Sequence, residues 1–105
     1  MPEINTTYFG DSEERTAVIE ITEGTVGLDN FNQLKETIKH ELNNGTKSFV
    51  FDMKNLTSIN SSGLGILISS LKKIKESKGS LKLVNTSEKI SDIFRLTKLD
   101  NVFEF

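Results

Sequence analysis

Apolar residues recur along the chain with two different spacings, which together predict eight secondary-structure elements. Short runs rich in β-branched and aromatic residues predict strands at 4–9, 17–21, 49–51, 81–84 and 102–105. Apolar residues three or four positions apart predict helices that begin near residues 29, 60 and 87. The run at 49–51 is too short for a helix, and we expect it to be buried on both faces at the centre of a sheet.

Residues suited to capping flank these predicted helices. Asp29 or Asn30 can cap the first helix and Thr86 or Ser87 the third, because their side-chain oxygens accept from the unpaired amides of a first turn. Asn44-Gly45 is expected to end the first helix, since both residues tolerate the left-handed conformation common at helix ends.

The order of the elements, β-β-α-β-α-β-α-β, predicts a single α/β domain that spans residues 1–105. Strands separated by single helices favour parallel pairing with right-handed crossovers, whereas the opening pair favours one antiparallel contact. We therefore expect a mixed, mostly parallel sheet flanked by helices. The second helix should bury one apolar face, made of Leu64, Leu67, Ile68, Leu71 and Ile74.

Composition then narrows the chemistry that this domain can perform. The chain has 105 residues, a net charge of -2, one histidine and no cysteine. It therefore lacks a thiolate nucleophile, a disulfide framework and a cysteine-based zinc site, and His40 alone cannot form a multi-histidine metal centre. The near-neutral charge argues against nucleic-acid binding. We predict no metal, no cofactor and no catalytic residue.

The sequence also carries no signal for secretion or membrane insertion. Residues 1–15 lack the basic start and apolar stretch of a signal peptide. No apolar run approaches the roughly 18 residues that span a bilayer. A cytoplasmic protein without membrane contact is the expectation.

The segment Asn60-Ser61-Ser62-Gly63-Leu64-Gly65 is the most informative about function. It joins the predicted central strand to the second helix, at the edge of the sheet where α/β proteins bind ligands and partners. Capping explains Asn and Ser at a helix start, but it does not explain two glycines, each of which costs about 1 kcal/mol relative to Ala. Close approach of another molecule is one interpretation, and a phosphate favoured by the helix start is another.

Two other polar residues invite catalytic interpretations that the pattern does not support. Asp52 ends the predicted central strand, as in a phospho-accepting receiver domain, but only Glu23 stands where such a domain needs an acidic pair. A Ser/His/Asp triad would need His40, which helical spacing places on a polar face. We interpret Asp52 as an acid in a loop and His40 as a solvated histidine.

Residues 47–67, KSFVFDMKNLTSINSSGLGIL, resemble the STAS domain of bacterial anti-sigma factor antagonists. In that family a buried strand and a linker with an apolar residue precede the string Asp-Ser-Ser/Thr-Gly-Leu-Gly, which opens the second helix. The resemblance extends to residues 24–27, 79–84 and 94–99, and so covers nearly the whole chain.

The resemblance implies a regulator that acts by exchanging partners. In the family the unmodified antagonist binds an anti-sigma factor that is also a serine kinase, and a sigma factor is released. Phosphorylation of the serine after the acidic residue breaks the complex, and a PP2C-like phosphatase restores it. Carried onto this chain, the phosphorylated residue is Ser61, with Ser62 as second choice. The implied partner-binding residues are Val26, Gly27, Asn60, Ser62, Gly63 and Leu64.

This sequence departs from the family pattern at two carboxylates and at its end. Asn60 stands where the family has an acidic residue, and Gly27 stands where its first loop has an Asp. The chain stops at Phe105, where family members usually continue into a final helix. Exposed Phe103 or Phe105 would then favour a homodimer.

Two alternatives therefore remain beside the switched antagonist. The missing carboxylates fit a non-switching STAS adaptor subunit of a transporter or signalling complex. A small nucleotide-hydrolysing enzyme is the other alternative, although nothing in the sequence positions a metal or a general base.

Overall fold

The computed structural model describes residues 6–10, 15–23 and 31–105. In this part of the chain four strands form one sheet in the order β1 (Thr6–Phe9), β2 (Thr16–Glu20), β3 (Ser48–Asp52) and β4 (Ser80–Val84). The helices of the same residues are α1 (Phe31–Asn43), α2 (Ser61–Glu76), α3 (Glu88–Leu96) and a short 3-10 helix, Leu99–Asn101.

The strand pairing confirms the predicted α/β fold. β1 is antiparallel to β2, whereas β2, β3 and β4 are parallel neighbours, with Ala17 opposite Phe49 and Phe49 opposite Leu81. β2 is followed by α1 and then β3, and β3 by α2 and then β4, so that both crossovers move in the same direction across the sheet. Right-handed crossovers therefore place α1 and α2 on one face of the sheet, and β3 lies inside the sheet as predicted.

The hydrophobic core lies between that face and the helices. Alternate strand residues point into it, namely Ala17, Ile19, Phe49, Phe51, Leu81 and Leu83. The helices contribute Leu34, Ile38, Leu64, Leu67, Leu71, Ile74, Ile90 and Phe94. Because each fully buried large apolar side chain is worth about 1.5–3 kcal/mol, this layer fixes the positions of the helices on the sheet.

Two predictions of complete burial are wrong. Val50 is only half-buried, because strand side chains alternate and it points away from the face that holds Phe49 and Phe51. Ile68 is 39% exposed, since it directly follows Leu67 and so lies about 100° around the helix from it. Alternation along the strand, and not its continuous apolar character, thus determines the burial of β3.

The end of the chain differs most from the prediction. The predicted last strand is reduced to one parallel bridge, between Lys82 and Glu104, because the Val102 and Phe103 N–H groups bond back to the Leu99 carbonyl of the 3-10 helix. Phe103 is 5% exposed, and its ring meets that of Phe94 edge-on, with centroids 5.5 Å apart. The expected exposure of Phe103 is therefore wrong, whereas Phe105 is 46% exposed. A homodimer stays a prediction.

The helix ends follow the sequence where the structure describes them. The Ser87 hydroxyl accepts a hydrogen bond from the Ile90 N–H at 3.2 Å, which makes Ser87 the cap of α3. Gly45 follows α1 with a φ of 90°, in the left-handed region predicted for that position. Asp29 and Asn30, the predicted caps of α1, lie outside the described residues.

A buried carboxylate, Glu41, connects α1 to the β1–β2 hairpin. It is 3% exposed and accepts hydrogen bonds from the Tyr8 hydroxyl, from Arg15 Nη2 at 3.1 Å and from the Thr46 hydroxyl at 3.0 Å. The Arg15 guanidinium also lies 4.6 Å from the centroid of the Tyr8 ring. The hydrogen bond to Glu41, together with burial, raises the pKa of Tyr8. This Glu41 cluster (Tyr8, Arg15, Glu41 and Thr46) lies at the edge of the sheet where β2 and β3 begin.

Candidate functional site

The opposite edge of the sheet, where β3 ends, carries the start of α2. Asn60 caps this helix: its Oδ1 accepts from the Gly63 N–H at 2.8 Å, and its carbonyl accepts from the Leu64 N–H at 2.9 Å. The cap is therefore an amide oxygen, which carries no negative charge. The first turn of α2 contains no acidic residue.

Ser61 and Ser62 are the first two residues of α2, and both are exposed. Their backbone N–H groups precede the first internal hydrogen bonds of the helix and have no acceptor in the described part of the chain. A phosphate on either side chain would lie beside these amides at the positive end of the helix dipole. The site therefore presents two hydroxyls whose modification breaks no hydrogen bond among the described residues.

The two glycines of the motif are in different environments. Gly63 is buried, and a Cβ there would lie 2.8 Å from Ile59 Cγ1, so the absence of a side chain lets Ile59 pack against the helix. Gly65 is exposed, and a Cβ there would have no neighbour within 4 Å. Packing among the described residues explains Gly63 but gives no reason for Gly65, which leaves an open patch on α2.

The loop between β3 and α2 holds this helix start in place. Met53 and Leu56 are buried in the hydrophobic core and anchor the loop to it. The Thr57 hydroxyl donates to Glu23 Oε1 at 2.6 Å, which ties the loop to the segment that follows β2. The start of α2 is thus held by the core and by the segment after β2, and a surface held in this way would lose little conformational entropy on binding another molecule.

Asp52 ends β3 and links this loop to the one that follows β4. Its Oδ1 accepts from the Lys54 N–H and from Asn85 Nδ2, both at 3.1 Å, and its Oδ2 lies 3.6 Å from Lys54 Nζ. Burial by itself raises the pKa of Asp52, but the Asn85 and Lys54 hydrogen bonds and the Lys54 charge outweigh it and hold the pKa below its ordinary value. The carboxylate therefore has a bonding role in the loops, and its side chain is 16% exposed.

We expect Asp52→Asn to reduce the acid sensitivity of the fold. Because the folded pKa lies below that of an unfolded Asp, about 3.9, the carboxylate stabilises the fold above that pH and loses this contribution as the pH falls through the folded value. At pH 7 the free energy of unfolding of the variant should be lower than that of the wild type by roughly 0.5–1 kcal/mol. As the pH is lowered from 5, the free energy of unfolding should fall less for the variant than for the wild type. Urea unfolding at several pH values measures the free energy of unfolding of both proteins. An equal loss of stability with falling pH in the two proteins would contradict the prediction.

A groove of about 450 Å³ lies between α1 and α2, beside the start of α2. Lys35 and Ile38 line it from α1, and Ser62, Gly65 and Ile66 line it from α2. Sequence reasoning missed this groove because it left Ile66 unassigned and because no local pattern shows how closely α1 approaches α2. Small residues at 62, 65 and 69, repeating at helical spacing, are the signal that could have indicated it.

The structure brings together only part of the predicted partner-binding set. Asn60 and Ser62 are exposed next to Ser61, whereas Gly63 and Leu64 are buried, Leu64 as part of the hydrophobic core. Val26 and Gly27 lie outside the described residues. Partner contact by any of these residues stays a prediction.

Three further observations on the described residues concern His40, metal binding and membrane insertion. The His40 ring is exposed on α1, as predicted, and its Nε2 lies 3.0 Å from the Asn44 amide nitrogen. Residues 6–10, 15–23 and 31–105 contain no group of three or more His, Asp and Glu side chains that could hold a metal ion. None of the described helices is long and apolar enough to cross a bilayer.

The sequence is similar to proteins of known type. The family model of the STAS domain matches residues 13–105. An anti-sigma-B factor antagonist of Bacillus subtilis (strain 168) is 35% identical over 52 residues, which make up 50% of this chain and 48% of that protein. A Thermotoga maritima protein proposed to be an anti-sigma factor antagonist is 31% identical over 78 residues, or 73% of this chain and 69% of its own. The matched region is thus about half the length of the Bacillus relative.

The fold is also similar to solved structures. The NMR structure of the Thermotoga maritima protein TM1081 has a TM-score of 0.76 at 26% identity and covers 91% of this chain and 75% of that one. The anti-sigma factor antagonist SpoIIAA in its unphosphorylated form has a TM-score of 0.70 at 17% identity, covering 92% of this chain and 84% of its own. The SpoIIAA likeness concerns the fold alone.

Proposed function

Because this chain belongs to the STAS domain family, we propose that it is an anti-sigma factor antagonist that is switched off by phosphorylation of Ser61. The unmodified protein binds an anti-sigma factor with serine kinase activity in the cytoplasm, and a sigma factor is released. A PP2C-like phosphatase reverses the modification. Phosphoryl transfer is carried out by the partner kinase, and this chain contributes the accepting hydroxyl.

The observation that carries this proposal is the exposed Ser61-Ser62 pair on the capped, anchored start of α2. A phosphate would bring about -1.5 to -2 charges to a surface that must lose its water when a partner binds. Because the described part of the chain gives the Ser61 hydroxyl no hydrogen-bond partner, the fold does not depend on it. Modification therefore changes the surface and leaves the core as it is.

Mass spectrometry after incubation with ATP and the purified anti-sigma factor kinases of the same organism tests the switch. The wild type should gain one phosphate and Ser61→Ala none, while the matched variant Ser62→Ala should still gain one. Phosphate that disappears in Ser62→Ala instead would assign the acceptor to Ser62. A wild type that binds a kinase but is never modified would contradict the switch.

A non-switching adaptor subunit of a transporter or signalling complex is the second candidate. Asn60 favours it, because this residue keeps the helix cap but removes the charge that precedes the serine in the family. Affinity capture from the native cells separates the two candidates. Recovery of transport ATPase subunits, without an anti-sigma factor kinase, would support the adaptor and overturn the antagonist.

A further inference from the structure

The groove between α1 and α2 continues the surface around Ser61 toward a second helix. Ser62 belongs to both, since it neighbours Ser61 and lines the groove. Ile66, which is half-buried, gives the groove an apolar wall, and the fully buried Ile38 closes its floor. Gly65 leaves room along α2, where a side chain would meet nothing. Its volume, about 450 Å³, falls in the range of pockets that bury small groups, about 300–1,000 Å³.

Lys35 is the charged residue that lines this groove. No acidic side chain in the described part of the chain forms an ion pair with it. The ammonium group at the rim is therefore available to a carboxylate from outside, and the apolar walls are suited to an aliphatic side chain. One lysine is too little charge for nucleic acid, which needs several phosphate contacts.

We infer that the groove receives an aliphatic side chain of the anti-sigma factor, next to a carboxylate of the same partner that pairs with Lys35. This inference rests on the proposed function and extends its interface from α2 onto α1. The partner would thus contact the serine pair and the groove at once, because Ser62 joins them. Gly65, at the centre of this surface, gives the partner room to approach α2 closely.

Charge reversal on α1 tests the inference with a matched control. Lys35→Glu should weaken the binding of the anti-sigma factor kinase about tenfold, by an amount that shrinks as salt is added. Lys98→Glu makes the same change of charge at an exposed residue that follows α3 and does not line the groove, and should leave the affinity unchanged. Isothermal titration calorimetry at two salt concentrations measures both.

A second variant addresses the apolar part of the groove without a change of charge. Ser69 also lines the groove and is exposed, so Ser69→Leu should fill the groove, keep the melting temperature and weaken binding. If Lys35→Glu and Ser69→Leu both bind as the wild type does, the groove inference is overturned. If Ser61→Glu still weakens binding in that experiment, the proposed function stands without the groove inference. If the wild type binds no anti-sigma factor, both the groove inference and the proposed function are overturned.

Discussion

Replacing Glu41 with Ala is expected to lower the free energy of unfolding by about 3 kcal/mol. The side chain is buried and accepts from three groups, so its removal leaves the Tyr8 and Thr46 hydroxyls and the Arg15 guanidinium without their shared acceptor. Removing one member of a buried ion pair costs about 3–5 kcal/mol. We expect the lower end of this range because the Arg15 side chain is 33% exposed, so that water can replace part of the lost interaction with Glu41.

Urea unfolding at pH 7 measures this loss, with Glu36→Ala as the control. Glu36 lies on the same helix but is exposed, so its replacement should change stability by less than about 0.5 kcal/mol. The chain contains a single tyrosine, which gives a second readout by ultraviolet absorbance. Loss of Glu41 should bring the raised pKa of Tyr8 back toward its ordinary value. A stability loss under 1 kcal/mol with an unchanged Tyr8 titration would contradict the cluster's role.

Replacing Ser61 with Glu is expected to weaken anti-sigma factor binding about 100-fold, the equivalent of roughly 2.8 kcal/mol. The added carboxylate lies in the first turn of α2, where it imitates part of a phosphate's charge within the proposed interface. The fold should be unchanged or slightly more stable, because a negative charge at a helix start gains about 0.3–1 kcal/mol. Binding and stability should therefore change in different directions.

Ser80→Glu is the matched control for this variant. Ser80 is exposed and begins β4, at the edge of the sheet that is distant from the start of α2. The same charge placed there should leave the affinity within about twofold of the wild type, as measured by calorimetry and by melting temperature. Equal weakening by the two variants would mean that net charge, and not the position of Ser61, controls binding.

The parts of the fold that sequence reasoning predicts well are those set by local chemistry. Asn60 and Ser87 can be assigned as caps because a cap acts within three residues of itself. The amphipathic spacing predicts α1 and α2 in the same way, since one face of each helix must be buried. The mixed, mostly parallel pairing of the strands follows from the alternation of strands and helices and from the opening strand pair.

The parts that it misses depend on residues far apart in the chain. In the Glu41 cluster, Arg15 and Tyr8 lie 26 and 33 positions from Glu41, and local patterns carry no information about such pairs. One signal was present: Glu41 lies three positions after Ile38 and so falls on the buried face of α1. The burial of Phe103 likewise depends on a tertiary contact, with the ring of Phe94.

The candidate site, too, can be predicted from the sequence only where local chemistry determines it. Its position at the start of α2 follows from the sequence, as does the Asn60 cap. The two glycines look alike in the sequence, and only the neighbours of each position show that Gly63 serves the packing of Ile59 while Gly65 faces open space. The groove beside Gly65 depends on how closely α1 approaches α2, which no local pattern determines.

The placement of the Glu41 cluster and the serine pair at opposite edges of the sheet has an evolutionary consequence. Substitutions near Ser61 can accumulate with little effect on the bonds that secure the β1–β2 hairpin, because no described residue belongs to both regions. Under the proposed function, a cell that carries several such domains needs each to recognise its own kinase and ignore the others. Gene duplicates of this domain can therefore diverge in recognition, and so avoid crosstalk, while inheriting the same folding stability.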